Sequence, residues 1–117
     1  MGLPDLVRAV LAGDLIVARQ WVADAYRAGV NWECLDRPDG LDDREMLVAA
    51  AMAELLASRR GATPPPWVFT IGSAAEPVVL DPGLETMPRS FAHAKREGPE
   101  PLRRRNLIAL PDFLDVA

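Results

Sequence analysis

Apolar positions recur at helical spacing through the first half of the chain and lose that period after Thr63. Leu6, Val7, Val10 and Leu11 repeat on one helical face. Pro4 suits the first turn of that helix, where its missing N–H would have no partner anyway. Gly13-Asp14 breaks the pattern, and Asp14 is placed to cap a second helix. In that helix Leu15, Ala18, Val22, Ala25 and Tyr26 share a face, Val17 and Trp21 flank it, and Arg19, Asp24 and Arg27 are left for water. Gly29 supplies a left-handed stop. Asp36-Arg37-Pro38-Asp39-Gly40 is a dense turn signal within a connector over 30–41, where Trp32 and Leu35 are apolar enough to tuck against the helices.

A third helix is expected from Asp42 to Arg60. Asp42 followed three residues later by Glu45 makes a capping box, and no Gly or Pro intervenes before Gly61. Val48, Met52, Leu55 and Leu56 form its main stripe. Ala49, Ala50, Ala51, Ala53 and Ala57 are small enough for neighbouring helices to come close. Glu54 is the one charge between Leu47 and Leu56, and Arg59 and Arg60 complement the negative end of the helix dipole. These features predict the central helix of the fold.

Beyond it, nine of the eleven prolines fall between Pro64 and Pro111, which excludes another long helix. Pro64-Pro65-Pro66 is a stiff spacer. Trp67 to Gly72 reads either as a strand, from its alternation, or as a short helix, from its leading prolines and closing Gly72; the second is favoured. Pro77 to Leu80 is extended, and Pro88 to Glu97 is a helix stopped by Gly98. Leu102 to Asn106 allows one further turn, Leu107 to Leu110 is a short apolar run, and Asp112 can cap a last turn through Phe113 and Leu114. The expected fold class is mainly α. A three-helix scaffold over 1–61 precedes a Pro-rich irregular arm over 62–117, with short helices and a short extended segment. The arm packs on the scaffold or on a partner, within one domain overall.

Length and composition agree with that picture. The chain has 117 residues, half of them hydrophobic and 26% charged, which suits a single globular domain and excludes wholesale disorder. No apolar run approaches the roughly 18–20 residues that span a bilayer. The N-terminal residues lack a basic segment followed by an apolar one, so a cytoplasmic location is expected. Cys34 is the single cysteine and His93 the single histidine. No intramolecular disulfide can form, and a Cys–His dyad or a metal site finds too few ligands. Cys34 is expected as a half-buried thiol and His93 as a surface residue. Nothing matches a phosphate loop or a nucleophile elbow. The reading is therefore a non-enzyme with no catalytic, cofactor-binding or metal-ligating residues.

The net charge of −4 is unevenly spread, because the stretch 88–105 carries six basic residues against Glu97 and Glu100. Arg103-Arg104-Arg105 is its densest part. It reads as a solvated turn or as a contact to an acidic protein surface, since guanidinium groups suit planar pairing with carboxylates. Direct nucleic-acid binding fits less well, because the chain is acidic overall and no aromatic residues alternate with the arginines. Trp67, Phe91 and the apolar run Leu107 to Phe113 add candidate anchors for a partner groove.

Several segments together carry a resemblance: Arg44-Glu45 with Ala53-Glu54-Leu55-Leu56-Ala57, Trp67 and Gly72, Glu76-Pro77, Met87-Pro88-Arg89, Glu100 to Asn106, and Pro111-Asp112-Phe113-Leu114. Over roughly 40–117 the chain resembles small actinobacterial proteins encoded beside nucleotidyltransferase-like proteins. Such pairs look like type II toxin–antitoxin modules in which the small protein is the antitoxin. The resemblance implies a partner protein, a nucleotidyltransferase-like toxin, whose active site the chain would occlude, and it implies no catalytic residue. The expected contact residues are Trp67, Phe91, Arg103, Arg104, Arg105, Leu110 and Phe113. Two other classes stay open: a small RNA- or DNA-binding regulator using 88–105, and a self-associating helical domain whose arm is exchanged between copies.

Overall fold

Helix α3 (Asp43–Arg59) is buried almost all round from Met46 to Ala57, because the other elements wrap it on several sides. The computed structural model describes residues 2–116. Helices α1 (Leu3–Leu11) and α2 (Leu15–Ala28) pack as a hairpin, and α1 lies against α3. The stripe Val48, Met52, Leu55 and Leu56 is 0–4% exposed, and the alanines of α3 are closed off by neighbouring elements.

The ends of these helices follow the capping chemistry expected of them. Asp14 accepts from the Val17 N–H, and Asp42 and Glu45 form a reciprocal capping box at 2.8 and 3.0 Å. Gly29 ends α2 at φ 68°, a conformation that a side chain would strain. Between α2 and α3 a 3₁₀ turn (Trp32–Cys34) buries Trp32 to 4% exposure. Cys34 beside it is exposed, contrary to the half-buried thiol expected, because the turn spends its one inward direction on the larger indole. Arg60 stands over the Tyr26 ring at 4.5 Å from its centre.

The arm closes onto this scaffold. Trp67 lies in a 3₁₀ turn (Pro66–Thr70), the helical alternative for that segment, and its indole N–H donates to the Leu35 carbonyl at 2.9 Å. Strand β1 (Val78–Val79) pairs in parallel with β2 (Leu107–Ile108), matching Val78 with Leu107 and Val79 with Ile108. The apolar run at 107–110 therefore supplies a second strand that local patterning left unassigned. A two-residue bridge has too little period to read, and its existence rests on a partner about thirty residues away.

Between the strands the chain makes a 3₁₀ turn (Leu84–Thr86), α4 (Pro88–Glu97) and the single turn α5 (Glu100–Arg103). Gly98 joins α4 to α5 where a Cβ would stand 2.5 Å from the Ala94 carbonyl oxygen and 2.6 Å from that of Ala109. Only a residue without a side chain lets α4 end this close to the segment after β2.

Val68, Leu80, Leu102, Leu107, Ala109, Phe113 and Leu114 of the arm join the same apolar cluster as α1, α2 and α3. A smaller cluster of Leu84, Ala94 and Ile108 lies under α4, with Phe91 and Leu110 packed on it. The radius of gyration is 13.2 Å, about the value expected for a single folded body of this length. The last turn, 111–114, is held by Phe113 N–H to Leu110 O and Asp115 N–H to Asp112 O, backbone bonds rather than the expected Asp112 side-chain cap. Leu114 takes a left-handed φ of 54° while fully buried, a strained geometry that packing holds in place. Among the described residues no helix is long and apolar enough to cross a membrane.

Candidate partner-binding face

The three consecutive arginines have three different fates. At the end of α5 the chain turns tightly, so neighbouring side chains leave in different directions. Arg105 points inward and is 3% exposed. Its Nη1 donates to Glu54 Oε1 at 2.8 Å and to the Pro101 carbonyl at 2.7 Å, and its Nη2 donates to the Val68 carbonyl at 2.9 Å. Arg104 pairs with the same Glu54 oxygen from a half-exposed position, with Glu100 at 3.9 Å on its outer side. Arg103 stays exposed and donates through Nε to the Gly98 carbonyl at 2.6 Å. Glu54, the lone charge inside the apolar run of α3, is thus the counter-charge that binds the arm to the scaffold. Its position in that run marked it as unusual, but the sequence offered no way to name its partner.

The other expected contact residues divide similarly. Phe113 is 2% exposed in the main cluster, so the 107–113 segment docks on its own chain rather than offering a free apolar ligand. Arg59 reinforces that docking by donating to the Phe113 carbonyl at 2.5 Å and the Pro111 carbonyl at 3.1 Å. Trp67, Phe91 and Leu110 are half-buried, and the Leu110 N–H donates to Asp81 Oδ2 at 2.7 Å. Arg105 and Phe113 are therefore core residues, which corrects their reading as outward contacts. A long side chain in a polar run and an aromatic beside a proline carry no local mark of which way they face.

Within the basic stretch 88–105, most of the exposed basic residues lie on α4. This helix buries only Ala94, while Arg89, His93, Lys95 and Arg96 are exposed. Arg89, His93 and Arg96 stand at i, i+4 and i+7 and so share one face. Lys95 lies over the Phe91 ring at 5.7 Å and lines a small hollow with Arg103. Among the described residues Arg89, Lys95, Arg96 and Arg103 have no carboxylate within ion-pair distance. Met87, 46% exposed, adds an apolar residue at the start of the helix. The i, i+4, i+7 spacing is present in the sequence, where the denser arginine triplet is the stronger local charge signal. Compared with protein-family models, with curated proteins and with solved structures, the chain matches none.

One carboxylate of the arm, facing the end of α1, is electrostatically perturbed. Burial pushes the Asp81 carboxyl above its ordinary value of 3.8, against the opposing effect of the Leu110 N–H, and the charge of Asp112 adds to the rise. The folded state thus prefers the protonated acid. Its contribution to stability is largest below the unfolded value and is lost as pH rises through the raised folded one. Asp81→Asn keeps an oxygen for the Leu110 N–H and removes the charge. The variant is expected to be at least as stable as the parent at pH 7, with the difference shrinking as pH falls through the raised folded value toward the unfolded 3.8. Urea unfolding of both proteins at pH 7 and pH 3.5 checks this.

Proposed function

We propose that the chain is a non-enzymatic interaction protein that binds and inhibits a nucleotidyltransferase-like partner in the manner of an antitoxin, acting in the cytoplasm. The observation that carries the reading is the set of exposed α4 cations, Arg89, Lys95 and Arg96, without a carboxylate partner among the described residues, in a protein that is acidic overall. Opposed to an acidic surface such as a metal-binding cleft, this face would steer docking and block entry. Arg103, beside Lys95, extends it, with Phe91 and Leu110 at its apolar margin, and Arg104 and Trp67 are further candidate contacts on the arm. Arg105 and Phe113 support it from inside.

The test is capture of the tagged chain from its source cells at native expression, read by mass spectrometry. A stoichiometric nucleotidyltransferase-like protein is the expected result. With that partner in hand, Arg89→Glu combined with Arg96→Glu should weaken binding roughly tenfold at low salt, mostly through slower association, with the helical circular dichroism unchanged. Unchanged affinity would remove α4 from the interface. Recovery of the chain alone, or with nucleic acid whose binding falls steeply with salt, would overturn the reading in favour of a self-associating domain or a small regulator.

A further inference from the structure

The hollow beside Lys95 and Arg103 has a volume of about 70 Å³ and is lined by Ala94, Lys95, Arg103, Asn106, Leu107 and Ile108. One side of it is the outer edge of β2. The Asn106 and Ile108 carbonyls face β1, where they accept from the Val78 and Leu80 N–H groups at 3.0 and 2.9 Å. The Leu110 N–H turns to the same side, where Asp81 takes it. Successive residues of an extended strand aim their backbone groups at opposite edges, so those of Leu107 and Ala109 point away from β1. The Ala109 carbonyl stands against Gly98, which places this edge at the junction of α4 and α5. Leu107 is 1% exposed, and its N–H has no acceptor among the described residues. A buried donor in that state costs free energy until an acceptor meets it.

The other side of the hollow is cationic. Arg103 is pinned by its Nε, which donates to the Gly98 carbonyl at 2.6 Å, while its two Nη groups make no hydrogen bond among the described residues. Lys95 Nζ stands 5.7 Å from the centre of the Phe91 ring. Neither cation has a carboxylate within ion-pair distance among the described residues. Glu97 and Glu100, the acids nearest in sequence, do not line the hollow. The Ala94 and Gly98 carbonyls beside it are already taken, by the Gly98 N–H and by Arg103.

We propose that this hollow is an oxyanion site that takes a phosphate group, as the free ion or as a monoester. Two cations with no acid between them match a dianion better than a monovalent carboxylate. The unused edge of the guanidinium suits two phosphate oxygens, and the Leu107 N–H suits a third. The site belongs to the chain alone and does not rest on the partner proposed above.

The probes are inorganic phosphate, methyl phosphate and acetate, titrated at constant ionic strength into the full-length ¹⁵N-labelled chain at about pH 7.5, where phosphate is mostly dianionic. Inorganic phosphate is expected to shift the Leu107 amide and the Arg103 Nε–H to saturation, and to bind at least about tenfold tighter than acetate. Methyl phosphate moving the same signals extends the site to monoesters; inorganic phosphate acting alone assigns it to the free ion. Arg103→Gln should weaken binding at least about tenfold and Lys95→Gln about threefold, with the fold intact because both side chains are exposed. Arg96→Gln, also exposed on α4 but outside the hollow, should change nothing. Acetate binding as tightly as phosphate, an unmoved Leu107 amide, shifts without saturation, or equal losses from Arg96→Gln and Arg103→Gln would each overturn the proposal.

Discussion

Glu54→Ala is expected to lower the unfolding free energy by about 3–5 kcal/mol, the range seen when one partner of a buried ion pair is removed. The loss of attraction is the smaller part of that figure. The larger part is the guanidinium left behind, since Arg105 is 3% exposed and would keep only two backbone carbonyls as acceptors. The junction also ties the arm to α3, so its loss removes one polar contact between the two parts of the chain and leaves those of Arg59 with the Phe113 and Pro111 carbonyls and of Trp67 with the Leu35 carbonyl. Two comparisons separate these effects. Arg104→Ala should cost no more than about 1 kcal/mol, because its side chain is 41% exposed and solvent screens the pair. Glu54→Leu combined with Arg105→Met should recover most of what Glu54→Ala loses, because a hydrophobic pair of similar volume needs no counter-charge. Urea unfolding of the four proteins decides the matter. A nearly neutral Glu54→Ala would show that water reaches Arg105 and that the ion pair does not hold the arm.

Phe113→Ala is expected to cost about 3–5 kcal/mol, the usual range for truncating an enclosed aromatic side chain. That corresponds to a fall in Tm of roughly 10–20 °C for a domain of this size. Phe113 is 2% exposed and packs into the cluster that unites the arm with α1, α2 and α3. Its backbone carbonyl is also held by Arg59, so the cavity would loosen the terminal turn as well as the core. Thermal unfolding checks the size of the effect, and amide exchange checks its place: 107–116 should lose protection before α3 does. A Phe113→Ala protein with unchanged Tm but lost partner binding would restore Phe113 as a direct contact and contradict its burial.

Pro88–Glu97 shows how much of this molecule a local reading reaches. Its leading proline, its breadth and its Gly98 stop were all legible, and the helix has those bounds. The same holds for α1 to α3, whose apolar period, aspartate caps and glycine ends are written within a few residues of where they act. Of the candidate site, the basic character of 88–105 was legible, while the row of Arg89, His93 and Arg96 emerged with the helix itself. The direction each arginine of the triplet takes was not.

By itself, then, the sequence determined a mainly helical protein with a central helix α3, the ends of its three main helices, a proline-rich arm and an excess of positive charge near α4 and α5. Each of these depends on neighbours a few positions away. Tertiary structure alone decided that the arm closes on its own scaffold, that two-residue strands pair across it, and that Arg105 and Phe113 face inward. Those outcomes rest on contacts such as Arg105 with Glu54, 51 residues apart, and Arg59 with the Phe113 carbonyl, 54 apart. No periodicity records such a pairing, because its free energy exists only once the intervening chain has been brought together.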